Sequence, residues 1–188
     1  QNNIVTLTMD RDGKSTNIIN EDFTLSLIKN IEKIESELNI QGVILTSAKK
    51  TFLAGADLQI LYEQIDPKAC FDIVEAAKNI MRRFELINKP IVAAVNGTAV
   101  GGGMELALCC NYRVVIDNPT AIFGFPEVNL GILPGGGGIT RLTRMIGIEA
   151  AIPFLAQGKQ TKAVDAVKYG LMDELATDHD DMMIKARS

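Results

Sequence analysis

Two glutamates in unusual surroundings are the residues of this sequence best suited to acid–base chemistry. Glu105 follows three consecutive glycines, residues 101–103, and lies in the first turn of a predicted helix. Glu127 lies in an apolar turn bent by Pro126. In a dry site two carboxylates can divide labour, one accepting a proton and the other donating one. Each also has a plain structural explanation, because Glu105 could complement the helix dipole and Glu127 could be an exposed turn residue.

The glycine run before Glu105 fits an oxyanion hole better than a nucleotide-binding loop. A dinucleotide fingerprint needs a third glycine where Leu106 stands, and a P-loop needs Gly-Lys-Ser/Thr, which the sequence lacks. An oxyanion hole needs only backbone N–H groups with no side chain in the way. Residues 53–57 form a second loop of small residues. Two N–H donors, one from each loop, could therefore hold one carbonyl oxygen.

The composition excludes several other kinds of site. The 19 basic and 23 acidic residues give a net charge of -4, which argues against a nucleic-acid surface. The only histidine, His179, lies among aspartates, so it could bind a cation weakly or be solvated, and a zinc site built on several histidines is excluded. Three cysteines without a CxxC pair favour a reducing, cytosolic setting. The sequence predicts no membrane span and no signal peptide.

Strands alternate with helices along the chain, which predicts an α/β domain with a mostly parallel sheet. Runs of β-branched and apolar residues predict strands, and apolar spacings of three and four predict helices. The predicted strands are 4–9, 42–46, 91–95, 112–116 and 121–123. The predicted helices are 20–38, 69–86, 140–146, 149–156 and 162–169, with one more after the glycine run.

Five motifs, taken together, resemble the crotonase or enoyl-CoA hydratase superfamily. They are TFLAGADL at 51–58, KPIVAAVNG at 89–97, GGGMELA at 101–107, FGFPEVNLG at 123–131 and PGGGG at 134–138. They occur in the order of the family, and their combination is far more specific than any one of them. The resemblance implies an α/β fold, the crotonase-like spiral of repeated ββα units, in a single domain over residues 1–188.

The resemblance also implies roles for individual residues. The N–H groups of Ala56 and Gly102 would form the oxyanion hole for an acyl-CoA thioester. Glu105 and Glu127 would be the two carboxylates of a hydratase, since members that keep both are typically hydratases. Five neighbours would contact the substrate: Ala54, Asp57, Leu58, Gly101 and Gly103. No metal and no cofactor is expected in this domain, because coenzyme A is part of the substrate and the oxyanion hole takes the charge.

The expected reaction is reversible syn hydration of a 2-trans-enoyl-CoA to a 3-hydroxyacyl-CoA in fatty-acid β-oxidation. The same site could instead serve an enoyl-CoA isomerase or a 3-hydroxyacyl-CoA epimerase, and a non-catalytic scaffold of the same fold is a third reading. Lys49 and Lys50 could meet the CoA phosphates or be solvated. Four apolar residues could line an acyl pocket or pack in the core: Ile60, Leu61, Met104 and Phe125.

Two details resemble the large α-subunit of bacterial fatty-acid oxidation complexes: the segment 111–119 and the 22-residue spacing between the glutamates (127 − 105). In that family a 3-hydroxyacyl-CoA dehydrogenase, which uses NAD, follows the hydratase. Residues 182–188 have the pattern of a helix cut short, so we expect this chain to be the N-terminal part of a longer protein. The resemblance implies a cytoplasmic homo-oligomer or a complex with a thiolase β-subunit.

Overall fold

A five-stranded parallel sheet forms the centre of the fold. The computed structural model describes residues 3–63 and 66–188. The strands, in chain order, are β1 (Ile4–Met9), β2 (Gly42–Ser47), β3 (Ile91–Val95), β4 (Ala99–Val100), β5 (Tyr112–Ile116), β6 (Phe123–Gly124), β7 (Gln160–Thr161) and β8 (Glu174–Ala176). The large sheet has the order β1-β2-β3-β5-β8, with every neighbouring pair parallel. Strand β2 is buried along its whole length, as expected where both faces of a parallel sheet are covered.

Helices cover the sheet and connect its strands. They are α1 (Glu21–Ser36), α2 (Leu58–Glu63), α3 (Pro67–Glu85), α4 (Gly102–Leu108), α5 (Gly138–Ile146), α6 (Ile148–Ala156), α7 (Ala163–Tyr169) and α8 (His179–Lys185), with a 3-10 helix at Pro126–Leu130. Five phenylalanines are among the largest fully buried side chains of the described residues: Phe52, Phe84, Phe123, Phe125 and Phe154. The predicted α/β class and the strands at 4–9, 42–46, 91–95 and 112–116 are confirmed to within one residue.

A second, smaller sheet is built from strands β4, β6 and β7. Strand β4 pairs in parallel with β6, and β6 pairs antiparallel with β7. Each of these strands has two residues, which is too short for an alternating pattern to be visible in the sequence. Strand β3, strand β4 and helix α4 follow one another directly, and so form one ββα unit of the predicted spiral. The chain therefore turns from the large sheet to the small one just before the Glu105 helix.

Several predicted boundaries are wrong. Helix α1 ends at Ser36 and not at 38, and Leu38 is 93% exposed, so it does not belong to the buried stripe of that helix. The predicted strand 121–123 is shifted, since β6 covers Phe123–Gly124. Helix α5 starts two residues before the predicted 140. Strand β8 is too short for the sequence to predict it, and the only sequence signal for α2 is Asp57, which is well placed to cap a helix.

The C-terminal segment also differs from its prediction. Helix α8 begins at His179, with Asp178 as its N-cap accepting from the Asp181 amide, and ends at Lys185. The His179 side chain is 63% exposed, which agrees with the solvated alternative. Across residues 3–63 and 66–188, no group of three or more His, Cys, Asp or Glu side chains could hold a metal ion. Nor is any helix in those ranges long and apolar enough to cross a membrane.

Candidate active site

Ala56 and Gly102 lie side by side, although 46 residues separate them in sequence (102 − 56). The Ile19 N–H donates to the Gly55 carbonyl at 2.8 Å, and the Asp57 N–H donates to the Ile19 carbonyl at 3.1 Å. In such a parallel bridge the N–H of the residue in between, Ala56, points to the opposite side. A Cβ placed on Gly102 would lie 3.6 Å from the Ala56 nitrogen. The two loops therefore meet at these two amides.

Within residues 3–63 and 66–188, neither amide donates a hydrogen bond. The Ala56 N–H donates no hydrogen bond to any described residue. Gly102 is the first residue of α4, so its N–H has no acceptor within the helix. Two free N–H groups that lie together can bind a carbonyl oxygen and stabilise the negative charge that develops on it. The structure thus brings together the two donors predicted for the oxyanion hole.

The backbone of Gly101 explains why a glycine precedes this pair. Gly101 has φ +54°, a backbone conformation that residues with a Cβ rarely adopt. At this residue the chain turns from β4 into α4. A Cβ on Gly101 would also lie 3.0 Å from Oε1 of Glu127. The backbone conformation therefore favours glycine at 101, and the short distance shows that the Glu127 carboxyl lies directly against the loop that carries the Gly102 amide.

Glu105 lies in the first turn of α4 and is only 3% exposed. Its Oε1 accepts a hydrogen bond of 2.8 Å from the Gly138 N–H at the start of α5. A Cβ on Gly136 would lie 2.7 Å from its Oε2, so the glycine loop, residues 134–138, closes around the carboxyl group. Burial raises the pKa of Glu105, while the amides of this loop and the charge of Arg141 act in the opposite direction. The buried carboxylate is thus supported by N–H donors.

The Glu127 carboxyl has fewer hydrogen-bond donors around it than the Glu105 carboxyl. It follows Pro126 at the start of the 3-10 helix and is 8% exposed. Its Oε2 is buried and has no hydrogen-bond partner among the described residues. Burial raises the pKa of Glu127 to about 7; its own backbone N–H lowers the pKa and the charge of Glu105 raises it. Near neutral pH both the protonated and the ionised form of this carboxyl are therefore accessible.

Phe125 connects the surroundings of the two glutamates. Its side chain is fully buried, and a Cβ on Gly138 would lie 2.7 Å from its ring. The ring therefore lies against the amide that holds Glu105, while the chain continues through Pro126 to Glu127. The charge of Glu105 is felt at Glu127, so the two carboxyls are within electrostatic reach. The fold thus brings the two predicted carboxylates into one region beside the free amides.

The other residues predicted to contact substrate have varied surroundings. The Ala54 N–H donates to the Asn17 carbonyl at 3.0 Å, so it is already used. Asp57 caps α2, because its Oδ1 accepts from the Gln59 N–H at 3.1 Å, as its position before a helix predicts. Leu58 is 54% exposed at the start of α2 and is accessible to a ligand. Substrate contact stays a prediction for all three.

Gly103 has a packing reason to be glycine. A Cβ at this position would lie 2.0 Å from the Leu53 carbonyl oxygen, so α4 could not pack against the 53–57 loop with any larger residue. Met104 and Phe125 are fully buried, which agrees with the core-packing alternative for both. Ile60 is 41% exposed, and the side chain of Leu61 lies outside the described part of the chain.

The two lysines predicted to meet the CoA phosphates differ in their contacts. Lys49 forms an ion pair with Asp10 at 2.5 Å, and its side chain is only 17% exposed. Lys50 is exposed, so it is the one free to meet a ligand. Sequence reasoning predicts no role for the glycine loop or for Arg141. The signal that could have revealed the loop is its four consecutive glycines, which leave their amides unshielded by side chains.

The arrangement of two carboxyls beside two free amides agrees with a comparison to known families. The family model described as enoyl-CoA hydratase/isomerase matches residues 1–188. The chain belongs to the enoyl-CoA hydratase/isomerase family. The resemblance to the crotonase superfamily is thereby confirmed, and the crotonase-like fold is confirmed with it.

Some relatives of this chain are much longer proteins. The chain is 38% identical over 175 residues to the fatty acid oxidation complex subunit alpha of Shewanella loihica, and the match covers 93% of this chain and 25% of that protein. It is also 38% identical over 172 residues to the subunit of the same name from Shewanella halifaxensis, covering 91% of this chain and 24% of that protein. The chain thus spans about a quarter of the length of these relatives.

Solved structures of the family have the same fold. An enoyl-CoA hydratase from Bacillus anthracis is 31% identical with a TM-score of 0.88, over 97% of this chain and 70% of that one. An enoyl-CoA hydratase from Thermoplasma volcanium is 27% identical with a TM-score of 0.89, over 100% of this chain and 75% of that one.

Proposed function

We propose that this chain catalyses the reversible syn hydration of 2-trans-enoyl-CoA thioesters to 3-hydroxyacyl-CoA. One observation carries the proposal: two buried carboxyls with different surroundings, Glu105 and Glu127, lie beside the paired free amides of Ala56 and Gly102. The family and the names of the relatives support it. Hydration needs both a base and an acid, and it needs a place for the charge that develops on the thioester oxygen.

In the proposed reaction the thioester oxygen binds between the N–H groups of Ala56 and Gly102. Glu105 accepts a proton from water while the water oxygen forms a bond to C3. The π electrons of the C2–C3 bond move toward the carbonyl, and the resulting enolate is held by the two amides. Glu127 then gives its proton to C2. One water is added in total, and a proton returns from Glu105 to Glu127 through solvent. Each amide contributes ~3 kcal/mol to stabilising such an oxyanion.

The surroundings of the glutamates support this division of labour. Burial raises the pKa of Glu105, but the amides around its carboxyl group oppose that effect and stabilise the ionised form, which a base requires. Glu127 has a raised pKa of about 7 and one unpartnered oxygen among the described residues, so its protonated form is accessible near neutral pH. No metal or redox cofactor takes part in these steps, because the charge is carried by backbone N–H groups.

The longer relatives support a wider proposal. We propose that the chain is the hydratase part of a multifunctional protein in which an NAD-dependent 3-hydroxyacyl-CoA dehydrogenase oxidises the product. Assembly with a thiolase subunit would then remove the next intermediate. The relatives are named as subunits of a fatty acid oxidation complex, which supports such an assembly. We place the protein in the cytoplasm, since Cys70, Cys109 and Cys110 are all free thiols.

A spectrophotometric assay tests the proposed function. Crotonyl-CoA is added to the purified protein, and loss of the absorbance of the conjugated thioester is followed for the wild type, Glu105→Gln and Glu127→Gln. We expect loss of absorbance with the wild type and almost none with either variant. Binding of crotonyl-CoA without turnover, measured by calorimetry on the wild type, would contradict the proposal in favour of a non-catalytic scaffold.

A further inference from the structure

Arg141 connects the glycine loop around Glu105 to the end of helix α3. Its Nε and Nη2 donate to the two carboxylate oxygens of Glu85 at 3.2 and 3.0 Å. Its Nη1 donates to the Gly136 carbonyl at 2.7 Å. The Arg141 side chain is only 11% exposed, so these contacts are shielded from water. The planar guanidinium thus uses one edge for a carboxylate and its remaining nitrogen for the loop.

The loop is shaped to receive this guanidinium. A Cβ on Gly137 would lie 2.4 Å from Nη1 of Arg141, so any larger residue would push the guanidinium away. Gly137 also has φ +102°, which favours glycine at that position. The backbone turn at 137 therefore favours glycine, and the absence of a side chain there leaves room for the Arg141 guanidinium in the position observed.

Holding the Gly136 carbonyl has a direct effect on the side of the loop that faces Glu105. The Gly136 carbonyl and the Gly137 N–H belong to one planar trans peptide, so they point in opposite directions. Fixing the carbonyl with Arg141 therefore fixes the direction of the Gly137 N–H. That N–H, with those of Gly136 and Gly138, acts on the Glu105 carboxyl. Arg141 therefore contacts the outer side of the loop, and the N–H groups that it orients lie on the inner side, which faces Glu105.

We propose that Arg141, held by Glu85, is a positioning residue that keeps the amides of the glycine loop directed at the Glu105 carboxylate. Arg141 does not touch the reacting atoms. The role in catalysis rests on the proposed hydratase function, whereas the effect on Glu105 itself does not. The other titratable groups near Glu105 are Glu127 on the 3-10 helix, Glu85 across the guanidinium and Cys109, the residue after α4, whose thiol stays neutral because burial raises its pKa to about 12.

The test is a carboxyl titration that does not depend on activity. Protein labelled with ¹³C at the glutamate side-chain carboxyls is titrated by NMR, and Glu105 is assigned by the signal missing in Glu105→Gln. We expect Glu105 in Arg141→Met to titrate about one pH unit higher than in the wild type, because a cation and ordered N–H donors are lost. Arg141→Lys keeps the positive charge but loses the planar guanidinium and its several donors. We therefore expect the pKa of Glu105 to rise in this variant too, but by less than in Arg141→Met.

Arg113 provides a matched control. It is a buried arginine that also pairs with a carboxylate, Asp173 at 2.6 Å, and whose Nη1 also donates to a backbone carbonyl, that of Cys110 at 2.8 Å. Its contacts do not include the glycine loop. Arg113→Met therefore loses a similar ion pair and similar stability, and Glu105 should titrate as in the wild type. An equal shift in both methionine variants would overturn the proposal in favour of general loosening.

Kinetics on the same variants separate this proposal from the proposed function. In Arg141→Met and Glu85→Gln we expect kcat for crotonyl-CoA to fall about tenfold with little change in KM, since binding groups are untouched. If the wild type does not hydrate crotonyl-CoA, the proposed function fails, and if Glu105→Gln hydrates at the wild-type rate, the role of Glu105 as base fails. In either case the titration still decides the role of Arg141. An unmoved Glu105 titration in both Arg141 variants overturns the positioning role, whatever the activity.

Discussion

The Glu105 carboxyl lies on a helix and is enclosed by the N–H groups of a glycine loop, with the Arg141 charge behind that loop. The Glu127 carboxyl lies on a short 3-10 helix, and within the described structure one of its oxygens has no partner. Both are buried, so burial alone does not distinguish them. The difference is the number of donors that meet each carboxylate. Backbone amides and one buried cation thus give two identical groups different electrostatic surroundings, as the proposed division into base and acid requires.

The largest expected effect comes from removing both carboxylates. We expect Glu105→Gln and Glu127→Gln each to lower kcat for crotonyl-CoA roughly 10³-fold. Base and acid act on one substrate in one reaction, so the double variant should lose little more than the worse single variant. The measurement is kcat for all four proteins at one pH. Losses that multiply in the double variant would mean that the two glutamates act independently.

The next effect concerns stability. The pKa of Glu127 is raised in the fold from its ordinary 4.5 to about 7, so the folded state prefers the protonated carboxyl. Its contribution to stability is therefore complete below pH 4.5 and is lost as pH rises toward 7. Glu127→Gln should raise the free energy of unfolding by about 3 kcal/mol at pH 8 and change it little at pH 4.

Urea unfolding at the two pH values checks this stability prediction. Glu105→Gln provides the comparison, because it removes a carboxylate whose N–H donors are then left without their anion. Burial raises the pKa of Glu105 as well, but the loop amides and Arg141 stabilise its carboxylate. The free energy of unfolding at pH 8 should therefore increase less in Glu105→Gln than in Glu127→Gln. Equal gains for the two variants would show that their surroundings are not different in the way described.

A smaller effect is expected from disturbing the loop without touching either glutamate. In Gly136→Ala the new Cβ would lie 2.7 Å from both Oε2 of Glu105 and Sδ of Met81, so the carboxylate has to move. We expect kcat to fall about tenfold to a hundredfold, the cost of a displacement near 1 Å. Gly42→Ala is the control, since its Cβ would have no neighbour closer than 3.6 Å. Normal activity of Gly136→Ala would contradict the role given to the loop.

The sequence predicts the large sheet well and the surroundings of Glu105 poorly. The runs at 42–46 and 91–95 are strongly apolar, and strands that are buried on both faces have that pattern. Strands β4, β6 and β7 have two residues each, so no periodicity can reveal them. The free amides of Ala56 and Gly102 follow from small residues and glycine turns, which are visible in the sequence. The contact between Glu105 and Gly138 joins residues 33 apart, and only the tertiary structure shows it.

The most direct test of the division of labour is hydrogen exchange at C2 of butanoyl-CoA, a saturated thioester, in D2O. Exchange needs the oxyanion hole and the group that handles the C2 proton, but no addition of water at C3. The account predicts that the wild type and Glu105→Gln incorporate deuterium at C2, followed by proton NMR, and that Glu127→Gln does not. Exchange that persists in Glu127→Gln and disappears in Glu105→Gln would contradict the assignment of base and acid.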